Sequence, residues 1–339
     1  MAKILIVDDN IDMLDTLEHL FTFYDFEVVR AENGREALAV AEREKPGLII
    51  LDALMPVMNG FEACEKLKSN PQTRDIPVIF LSANYTRLEH QQKGIELGAD
   101  DYILKPFNSQ ELITKITSLL HRRRLIEKLR NDNQQLLYRK CPPPERESLP
   151  AAGDNEAAKD FNIDPLTGLY NNRFFQQRFE EEYRHSLNAG GGLALALVDA
   201  DMFQRINEIY SEQTADYVLM RIANVILHNS RAAEVVFRLE NNKFALLLRL
   251  PEDPAFEEAE RIRSAVQRTQ FFEQDFFQLK KVSPRQKQAL ENVTVSIGVA
   301  ALQKQISKND LLQQAQDSLA QAKARGRNRT VRFSEIQNT

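Results

Sequence analysis

The amino-acid sequence predicts an α/β protein with two separate folding units. Its 339 residues exceed the usual size of one domain. From residue 3 to about 120, short β-branched runs alternate with longer amphipathic stretches, which predicts a doubly wound parallel sheet. A proline-rich stretch follows, and a second set of strands and helices then begins. We expect a first domain at residues 1–121, a helical arm at 122–140, a linker at 141–160 and a second α/β domain at 161–335.

Five short apolar runs in the first unit have the length and composition of strands. They are Ile4–Val7, Val28–Arg30, Leu48–Leu51, Val78–Leu81 and Tyr102–Leu104. Between them, stretches such as Asp12–Phe23 and Phe61–Leu67 repeat apolar residues at helical spacing. A doubly wound sheet places its ligand site at the carboxyl ends of its strands, so the residues that follow these runs are the first functional candidates.

The last helix of the first unit is expected to continue as an arm. Residues 110–138 contain no proline or glycine, and a heptad pattern places Ile126 and Asn133 at a positions, with Leu129 and Leu136 at d. An asparagine at an a position tends to fix the register of a two-stranded coiled coil. We therefore predict a homodimer through the first domain and this arm. The alternative is one amphipathic helix that packs on its own domain.

The remainder of the chain has the composition of a linker followed by a second domain. The linker contains Pro142, Pro143, Pro144 and Pro150, which predicts a stiff start and a flexible end. Later runs have strand character: Leu193–Val198, Val235–Leu239, Phe244–Leu248 and Val293–Val299. The segment 271–288, rich in Phe, Gln and Lys, is interpreted as an insertion, and its sequence indicates no role.

Composition restricts the partners and the compartment. A net charge of -5 gives no reason to expect nucleic acid, so no DNA partner is predicted. Two cysteines cannot form a disulfide scaffold, which indicates a reducing compartment, the cytoplasm. No apolar run approaches the roughly 18 residues that span a bilayer, so we expect no membrane insertion. The first residues reach a carboxylate pair too early for a signal peptide.

Acidic and polar side chains follow the strands of the first unit. Asp8 and Asp9 end the first strand and Asp52 ends the third, so three carboxylates are expected in one pocket. Like charges at this distance are costly without a cation, and Mg2+ binds carboxylates together with water and phosphate. Ser82 ends the fourth strand and Lys105 follows the fifth. They offer a hydrogen bond and a positive charge to a phosphoryl group.

Together these residues resemble the receiver domain of two-component response regulators, over residues 1 to about 121. The matching motifs are Asp8-Asp9, Asp52 with Met55-Pro56 and Gly60, Ser82-Ala83, and Lys105-Pro106. The resemblance implies that Asp52 accepts a phosphoryl group from a histidine kinase or phosphotransfer protein. It also implies that Mg2+ is held by Asp8, Asp9, Asp52 and the Leu54 carbonyl, and that Ser82, Tyr102 and Lys105 form the switch. The Lys105–Pro106 peptide is expected to be cis.

A second group of motifs resembles the GGDEF (diguanylate cyclase) family, over about residues 161–333. These motifs are Asp164–Asn171, Asp199–Phe203, Asn207, Asp216, Val295–Val299 and Ala322–Lys323 with Gly326–Asn328. The resemblance implies a central, mostly antiparallel sheet with flanking helices. It also implies that Asn207 and Asp216 read guanine and that Lys323 and Arg327 bind phosphate near Asp199.

The signature segment departs from the family pattern. Glu240, Asn241, Asn242, Lys243 and Phe244 stand where active members begin with two glycines. Glu240 adds negative charge beside the phosphate position, and Asn242 puts an uncharged amide at a metal-ligand position, which weakens two-metal phosphoryl transfer. Asparagine tolerates positive φ, so the hairpin can still form. We therefore expect no catalytic residues and no enzyme activity in this domain, and an output through an unknown downstream protein.

Two further hypotheses concern the second domain. Arg231 and Glu234 have the spacing of the family's inhibitory cyclic di-GMP site, normally Arg-x-x-Asp. Arginine can bind phosphate through two hydrogen bonds and stack on guanine, so the chain could be a cyclic di-GMP-binding effector. The other hypothesis is an enzyme of altered specificity, which Asp199, Lys323 and Arg327 keep open.

Overall fold

A computed structural model of the chain describes residues 2–82, 94, 97–142, 162–210, 212–231, 234–272, 292–303 and 306–337. The chain divides into two compact units, Met1–Arg124 and Leu125–Thr339. Most of the predicted linker at 141–160 and of the predicted insertion at 271–288 lies outside the described residues. The boundary between the units falls inside a helix, and each unit is described by itself.

The first unit contains a five-stranded parallel sheet in the order β2-β1-β3-β4-β5, so the predicted doubly wound fold is confirmed. Its strands are β1 Lys3–Val7, β2 Glu27–Ala31, β3 Leu48–Asp52, β4 Val78–Ser82 and β5 Asp101–Leu104. Its helices are α1 Ile11–Phe23, α2 Gly34–Glu44, α3 Gly60–Ser69 and the first part of α4, Ser109–Lys140. Alternate residues of β1 enter different cores, Leu5 on one face and Ile4 on the other, because both faces of the sheet are covered.

Asparagine side chains begin the first three helices. Asn10, Asn33 and Asn59 each accept a hydrogen bond from the main-chain N–H three residues later. This contact satisfies one of the donors that a helix leaves unpaired at its start. The caps at Asn10 and Asn59 fix where the chain turns immediately after β1 and close after β3, the two strands that carry the predicted carboxylates.

The second unit contains a five-stranded mixed sheet in the order β10-β9-β6-β8-β7. Its strands are β6 Ala194–Ala200, β7 Val235–Arg238, β8 Lys243–Leu248, β9 Val295–Ala301 and β10 Thr330–Arg332. Its helices are α5 Asn172–Ala189, α6 Phe203–Ile209, α7 Glu212–Asn229, α8 Glu252–Arg268, α9 Lys308–Ala324 and α10 Ser334–Gln337. β6 is antiparallel to both β8 and β9, and β7 is antiparallel to β8. Among these five strands only β10 pairs in parallel, so the predicted mostly antiparallel sheet is confirmed.

Helix α9 lies directly on β9 because Gly298 has no side chain. A Cβ atom at Gly298 would lie 2.1 Å from the main-chain nitrogen of Leu319 and 2.4 Å from the carbonyl oxygen of Ala315. Both are backbone atoms of α9, so they could not move without displacing the helix. The glycine therefore sets the position of α9, which carries Lys323.

Helix α4 contributes to both units. Leu112 and Ile116 are buried in the first core, and Leu137, near the other end of the helix, is buried in the second. Leu129 is also buried, whereas Ile126 and Leu136 are partly exposed. The pattern of burial in residues 125–140 is thus that of a helix packed on its own chain.

Asn133 is fully buried in the second unit. Its amide nitrogen donates to the carbonyl oxygens of Thr167 at 3.0 Å and Met220 at 3.1 Å, and its amide oxygen accepts from Asn224 at 2.9 Å. The assignment of Asn133 to the seam of a dimer is therefore wrong, because its amide bonds within the chain. The homodimer itself stays a prediction.

Candidate functional sites

The predicted receiver residues meet at the carboxyl edge of the first sheet. Nζ of Lys105 lies 2.6 Å from Oδ2 of Asp8 and 3.2 Å from Oδ2 of Asp52. One carboxylate oxygen from each of Asp8, Asp9 and Asp52 lies within 4.8 Å of the others. Asp8 is buried, Asp52 is partly buried and Asp9 is exposed, so the cluster has one side open to solvent.

Burial and charge act in opposite directions on this cluster. Burial raises the pKa of Asp52, attraction to Lys105 lowers it and repulsion from Asp8 adds to the rise, with a net upward shift. Burial disfavours the charged form of Lys105, but its hydrogen bond to Asp8 and its attraction to Asp52 outweigh this effect and raise its pKa. The positive charge of Lys105 thus partly neutralises the negative charges of Asp8 and Asp52.

The remaining charge and the oxygen donor set fit Mg2+. A hard cation takes carboxylate oxygens and keeps open positions for water and phosphate. Asp8, Asp9 and Asp52, the predicted ligands, would hold it. Leu54 is exposed, and its main-chain N–H donates a hydrogen bond to the Asp52 carboxylate. The predicted ligation of Mg2+ by its carbonyl remains a prediction.

The start of α3 lies very close to the main chain of Asp52. A Cβ atom at Gly60 would lie 2.1 Å from the carbonyl oxygen of Asp52, so only glycine fits where α3 begins. Ser82 is buried at the end of β4, and its carbonyl oxygen accepts from the main-chain N–H of Lys105 at 2.7 Å. The Lys105–Pro106 peptide is cis, as predicted.

Tyr102, the predicted switch aromatic, lies on β5 and is partly exposed. Its ring centroid is 6.2 Å from that of Phe80 on β4. The ring is therefore beside the same pair of strands that carry Ser82 and Lys105.

The second predicted site lies where β6 ends beside the β7–β8 hairpin. Asn241 has φ 56°, so the turn forms with asparagine in the left-handed region, as the sequence predicted. Oδ1 of Asp199 accepts from Nδ2 of Asn242 at 2.9 Å, and Oδ2 of Asp199 lies 2.7 Å from Nζ of Lys323. The structure thus brings together three predicted residues, from β6, the hairpin and α9. Glu240 and Lys243 are exposed, and Phe244 is buried.

The other predicted nucleotide residues lie on separate elements. Asn207 is exposed on α6, Asp216 is partly buried on α7, and Arg327 is exposed just after α9 with φ 61°. Their roles in reading guanine and phosphate remain predictions.

Arg238 is a buried cation that the sequence argument missed. It ends β7, its side chain is buried, and its guanidinium carbon lies 5.0 Å from the ring centroid of Phe244. Burial lowers its pKa, while attraction to Asp164 and Asp216 opposes that shift. The sequence did carry a signal for it, because Arg238 is a charged residue in the otherwise apolar strand Val235–Arg238.

Arg231 and Glu234 do lie together, in a cluster that contains a further buried acid. Glu234 accepts from the main-chain N–H of Arg231 at 2.6 Å. The guanidinium groups of Arg231 and Arg261 both pair with Glu258, which is 0% exposed. Burial raises the pKa of Glu234 to about 7, and repulsion from Glu258 adds to the shift. The predicted pair is therefore part of a network of two arginines and two glutamates.

Comparison with known proteins identifies both domains. Residues 4–117 match the response regulator receiver domain, and residues 161–329 match the family described as diguanylate cyclase, GGDEF domain. The chain is a response regulator with a GGDEF domain. It is similar to the response regulator PleD of Caulobacter vibrioides, at 26% identity over an alignment 462 positions long, which covers 97% of this chain and 99% of PleD.

Other relatives match one domain each. The probable transcriptional regulator ycf27 of Cyanophora paradoxa is 42% identical over 120 residues, which cover 35% of this chain and 48% of that protein. The crystal structure of the coiled coil and GGDEF domain of DgcB from Caulobacter crescentus, in complex with c-di-GMP, is 24% identical with a TM-score of 0.46. That match covers 52% of this chain and 88% of the DgcB chain.

The prediction that the chain is not an enzyme is contradicted. The family that residues 161–329 match is the diguanylate cyclase family, and the similarity to PleD extends over almost the whole chain. The prediction rested on five side chains of one hairpin. The hairpin is a small part of residues 161–329, over which the family match extends, so those five side chains were too narrow a basis.

Within the described part of the chain, no helix combines the length and apolar character needed to cross a membrane.

Proposed function

We propose that this protein is a phosphorylation-controlled regulator in cyclic di-GMP signalling, located in the cytoplasm. In this proposal Asp52 accepts a phosphoryl group, and the second domain acts on guanine nucleotides. The observation that carries the proposal is the position of Lys105, 2.6 Å from Asp8 and 3.2 Å from Asp52. A lysine ammonium at this place is a positive charge next to the atom that would bear the phosphoryl group.

The phosphoryl transfer would use the side chains at the strand ends as follows. A carboxylate oxygen of Asp52 attacks phosphorus in a phosphohistidine of a histidine kinase or phosphotransfer protein. The phosphorus–nitrogen bond breaks, and an acyl phosphate forms on Asp52. Mg2+, when bound by the three aspartates, neutralises charge on the transferring group. The Lys105 ammonium and the Ser82 hydroxyl then bind phosphoryl oxygens, and the movement of Ser82 is passed to Tyr102.

The second domain would receive a guanine nucleotide at the pocket around Asp199. Lys323 and Arg327 are proposed to bind its phosphates, and Asn207 and Asp216 to read its base. The pairing of Lys323 with Asp199 at 2.7 Å supports this, because it fixes an ammonium group, 35% exposed, beside Asp199. We also propose that the output reaches a downstream protein through contact with this domain.

The test uses the full chain with GTP, Mg2+ and either no addition or beryllofluoride, which mimics the phosphoryl group. Cyclic di-GMP and bound nucleotide are measured by chromatography. We expect beryllofluoride to change product formation or nucleotide binding in the native chain and to have no effect in Asp52→Ala. If both chains give the same values with and without beryllofluoride, the proposal of phosphorylation control is wrong.

A second proposal concerns the homodimer. A groove of about 410 Å3 lies between α4 and α7, and Leu125, Leu129 and Leu136 line it on α4. Asp132 and Arg139 lie in the same groove, so the surface carries both charges. The proposed occupant is a second copy of the chain, because in a two-fold interface Asp132 of each copy can pair with Arg139 of the other.

Sedimentation velocity of the full chain, with and without beryllofluoride, tests the dimer. Leu136→Glu should favour the monomer, because a carboxylate in the interface loses its water. Asn131→Glu, on the exposed side of the same helix, is the matched control and should keep the mass of the native chain. A native chain that remains monomeric at high concentration in both states would rule the dimer out.

Binding of cyclic di-GMP at Arg231 and Glu234 is a separate candidate. The side chains of Arg231 and Arg261 are 52% and 44% exposed although both pair with Glu258. Two exposed guanidinium groups on one acid can exchange that partner for a phosphate. Calorimetry with cyclic di-GMP should show heat that Arg231→Ala removes. Equal heats in the two chains, or none in the native one, would reject this site.

A further inference from the structure

The amide group of Asn242 lies between two oxygen atoms at the end of β6. Its Nδ2 is 2.9 Å from Oδ1 of Asp199 and 2.7 Å from the carbonyl oxygen of Ala200. Both neighbours are acceptors only, so the amide must present its nitrogen to them. The opposite orientation would bring three oxygen atoms together. The main-chain carbonyl oxygen of Asn242 also accepts a hydrogen bond from the main-chain N–H of Ala200 at 3.1 Å, which holds the residue against β6.

Lys323 occupies the other oxygen of the same carboxylate. Its Nζ is 2.7 Å from Oδ2 of Asp199, whose side chain is only 4% exposed. A buried carboxylate requires hydrogen bonds and an opposite charge. Here the amide of Asn242 and the ammonium of Lys323 supply both. Each oxygen of Asp199 therefore has a partner from the chain itself.

This arrangement does not fit a divalent cation. A hard cation would have to bind the same two oxygens that now accept hydrogen bonds from the Asn242 nitrogen, and an N–H group directed at them takes the place of the ion. Within the described ranges of the chain, Asp8, Asp9 and Asp52 form the group of three or more metal-ligating side chains that lie close enough together to hold one ion. That group belongs to the first unit. Each oxygen of Asp199 instead faces a nitrogen donor, the amide of Asn242 or the ammonium of Lys323.

We infer that Asn242 and Lys323 take the place of a divalent cation at Asp199. Phosphate groups that enter this pocket then meet the ammonium of Lys323 without a bridging metal. An ammonium has three hydrogen-bond donors, so Lys323 can keep its contact with Asp199 and still bind phosphate oxygens. The side chain of Lys323 is 35% exposed, which leaves that face accessible. The phosphate part of this inference rests on the nucleotide role proposed above for the second domain.

Binding of Mn2+, followed by electron paramagnetic resonance, tests the inference. The full chain carries Asp8→Asn and Asp9→Asn, so that the first unit no longer holds the ion; this variant is called the receiver-blocked chain. We expect it to bind no Mn2+ at millimolar concentration. Adding Asn242→Asp should create about one site per chain, because a second carboxylate then faces Asp199. Asn241→Asp adds the same charge one residue away, in an exposed position, and should create none.

Binding of Mn2+ at Asp199 in the native hairpin would overturn the inference. If the receiver-blocked chain with the native hairpin binds Mn2+, and Asp199→Asn abolishes that binding, the inference is wrong. This comparison does not depend on the folding of Asn242→Asp. Circular dichroism of each variant shows whether the fold is kept.

A titration with GTP gives the second measurement. In the receiver-blocked chain the Kd should agree within roughly twofold between EDTA and Mg2+, and Lys323→Ala should weaken binding roughly tenfold or more. Lys308→Ala, at the other end of α9, is the control and should leave the Kd unchanged. A Kd that rises tenfold in EDTA would contradict the inference. Absence of GTP binding in both buffers would count against the proposed nucleotide role, while the Mn2+ result would still decide the metal question.

Discussion

Replacing Asn133 by leucine distinguishes two accounts of helix α4. At an a position of a coiled coil, an apolar residue in place of asparagine strengthens the dimer, because the polar residue there costs stability. In the structure Asn133 is fully buried in its own chain and makes three hydrogen bonds. The leucine should therefore destabilise the second unit.

The magnitude follows from what the amide contacts. Asn133 donates to Thr167, which is itself 0% exposed, so this carbonyl would lose its partner in a place that water does not reach. A buried polar group without a partner costs about 1–3 kcal/mol. A branched apolar side chain forced into a packed site adds about 1–3 kcal/mol. We expect the free energy of unfolding of the second unit to fall by about 2–6 kcal/mol.

Urea unfolding followed by circular dichroism measures this change in the full chain. The transition of the first unit, recognised by its response to Mg2+, should stay in place, and the other should move to lower urea. Asn131→Leu, exposed on the same helix, is the control and should shift stability by less than about 0.5 kcal/mol. An Asn133→Leu chain that is as stable as the native one, or that dimerises more tightly, would refute the reasoning.

Three further predictions concern single residues. Because burial raises the pKa of Glu234 to about 7, the folded state holds a proton there that the unfolded chain has lost. The free energy of unfolding should thus fall by up to about 3 kcal/mol as the pH rises from about 4.5 to about 7. Urea titrations across this range should show this dependence of stability on pH, and Glu234→Gln should remove it. The same dependence in the Glu234→Gln chain would contradict this account. Gly60→Ala would push the main chain of Asp52 away, since its Cβ would lie 2.1 Å from the Asp52 oxygen. Phosphorylation by acetyl phosphate, measured on phosphate-affinity gels, should slow on the order of tenfold or more, and a native rate would show that the loop adapts. Gly298→Ala should destabilise the second unit by about 3 kcal/mol in the same urea assay, whereas Gly191→Ala, whose Cβ would meet nothing within 4 Å, should have almost no effect.

The first unit was predictable because its signals are local and independent. Each strand is a short β-branched run, and each functional residue follows one of them, so alternation alone places Asp8, Asp52 and Lys105 at one edge. The observed strands exceed the predicted ones by one or two residues, since pairing with neighbours extends them. The contact of Lys105 with Asp8, shorter than that with Asp52, needed coordinates.

The second unit was less predictable because its site depends on pairing between distant segments. The strand β10 has only three residues, too few for a periodic pattern, and it exists because it pairs with β9. The hairpin residues were identified from the sequence, but their effect was judged from charge alone. The bonds of Asn242 to Asp199 and Ala200 follow from the β6–β8 register, which a sequence pattern does not contain.

Helix α4 determines which fragment of this protein contains a complete second unit. A fragment that begins at residue 161, where the second domain's motifs start, would lack Leu137, a fully buried member of its core, and Asn133, which holds Thr167. Such a fragment would leave the buried carbonyl oxygens of Thr167 and Met220 without their amide partner and would be less stable. Expression of the output domain by itself should therefore retain the chain from Leu125 onward, the residue at which the second compact unit begins.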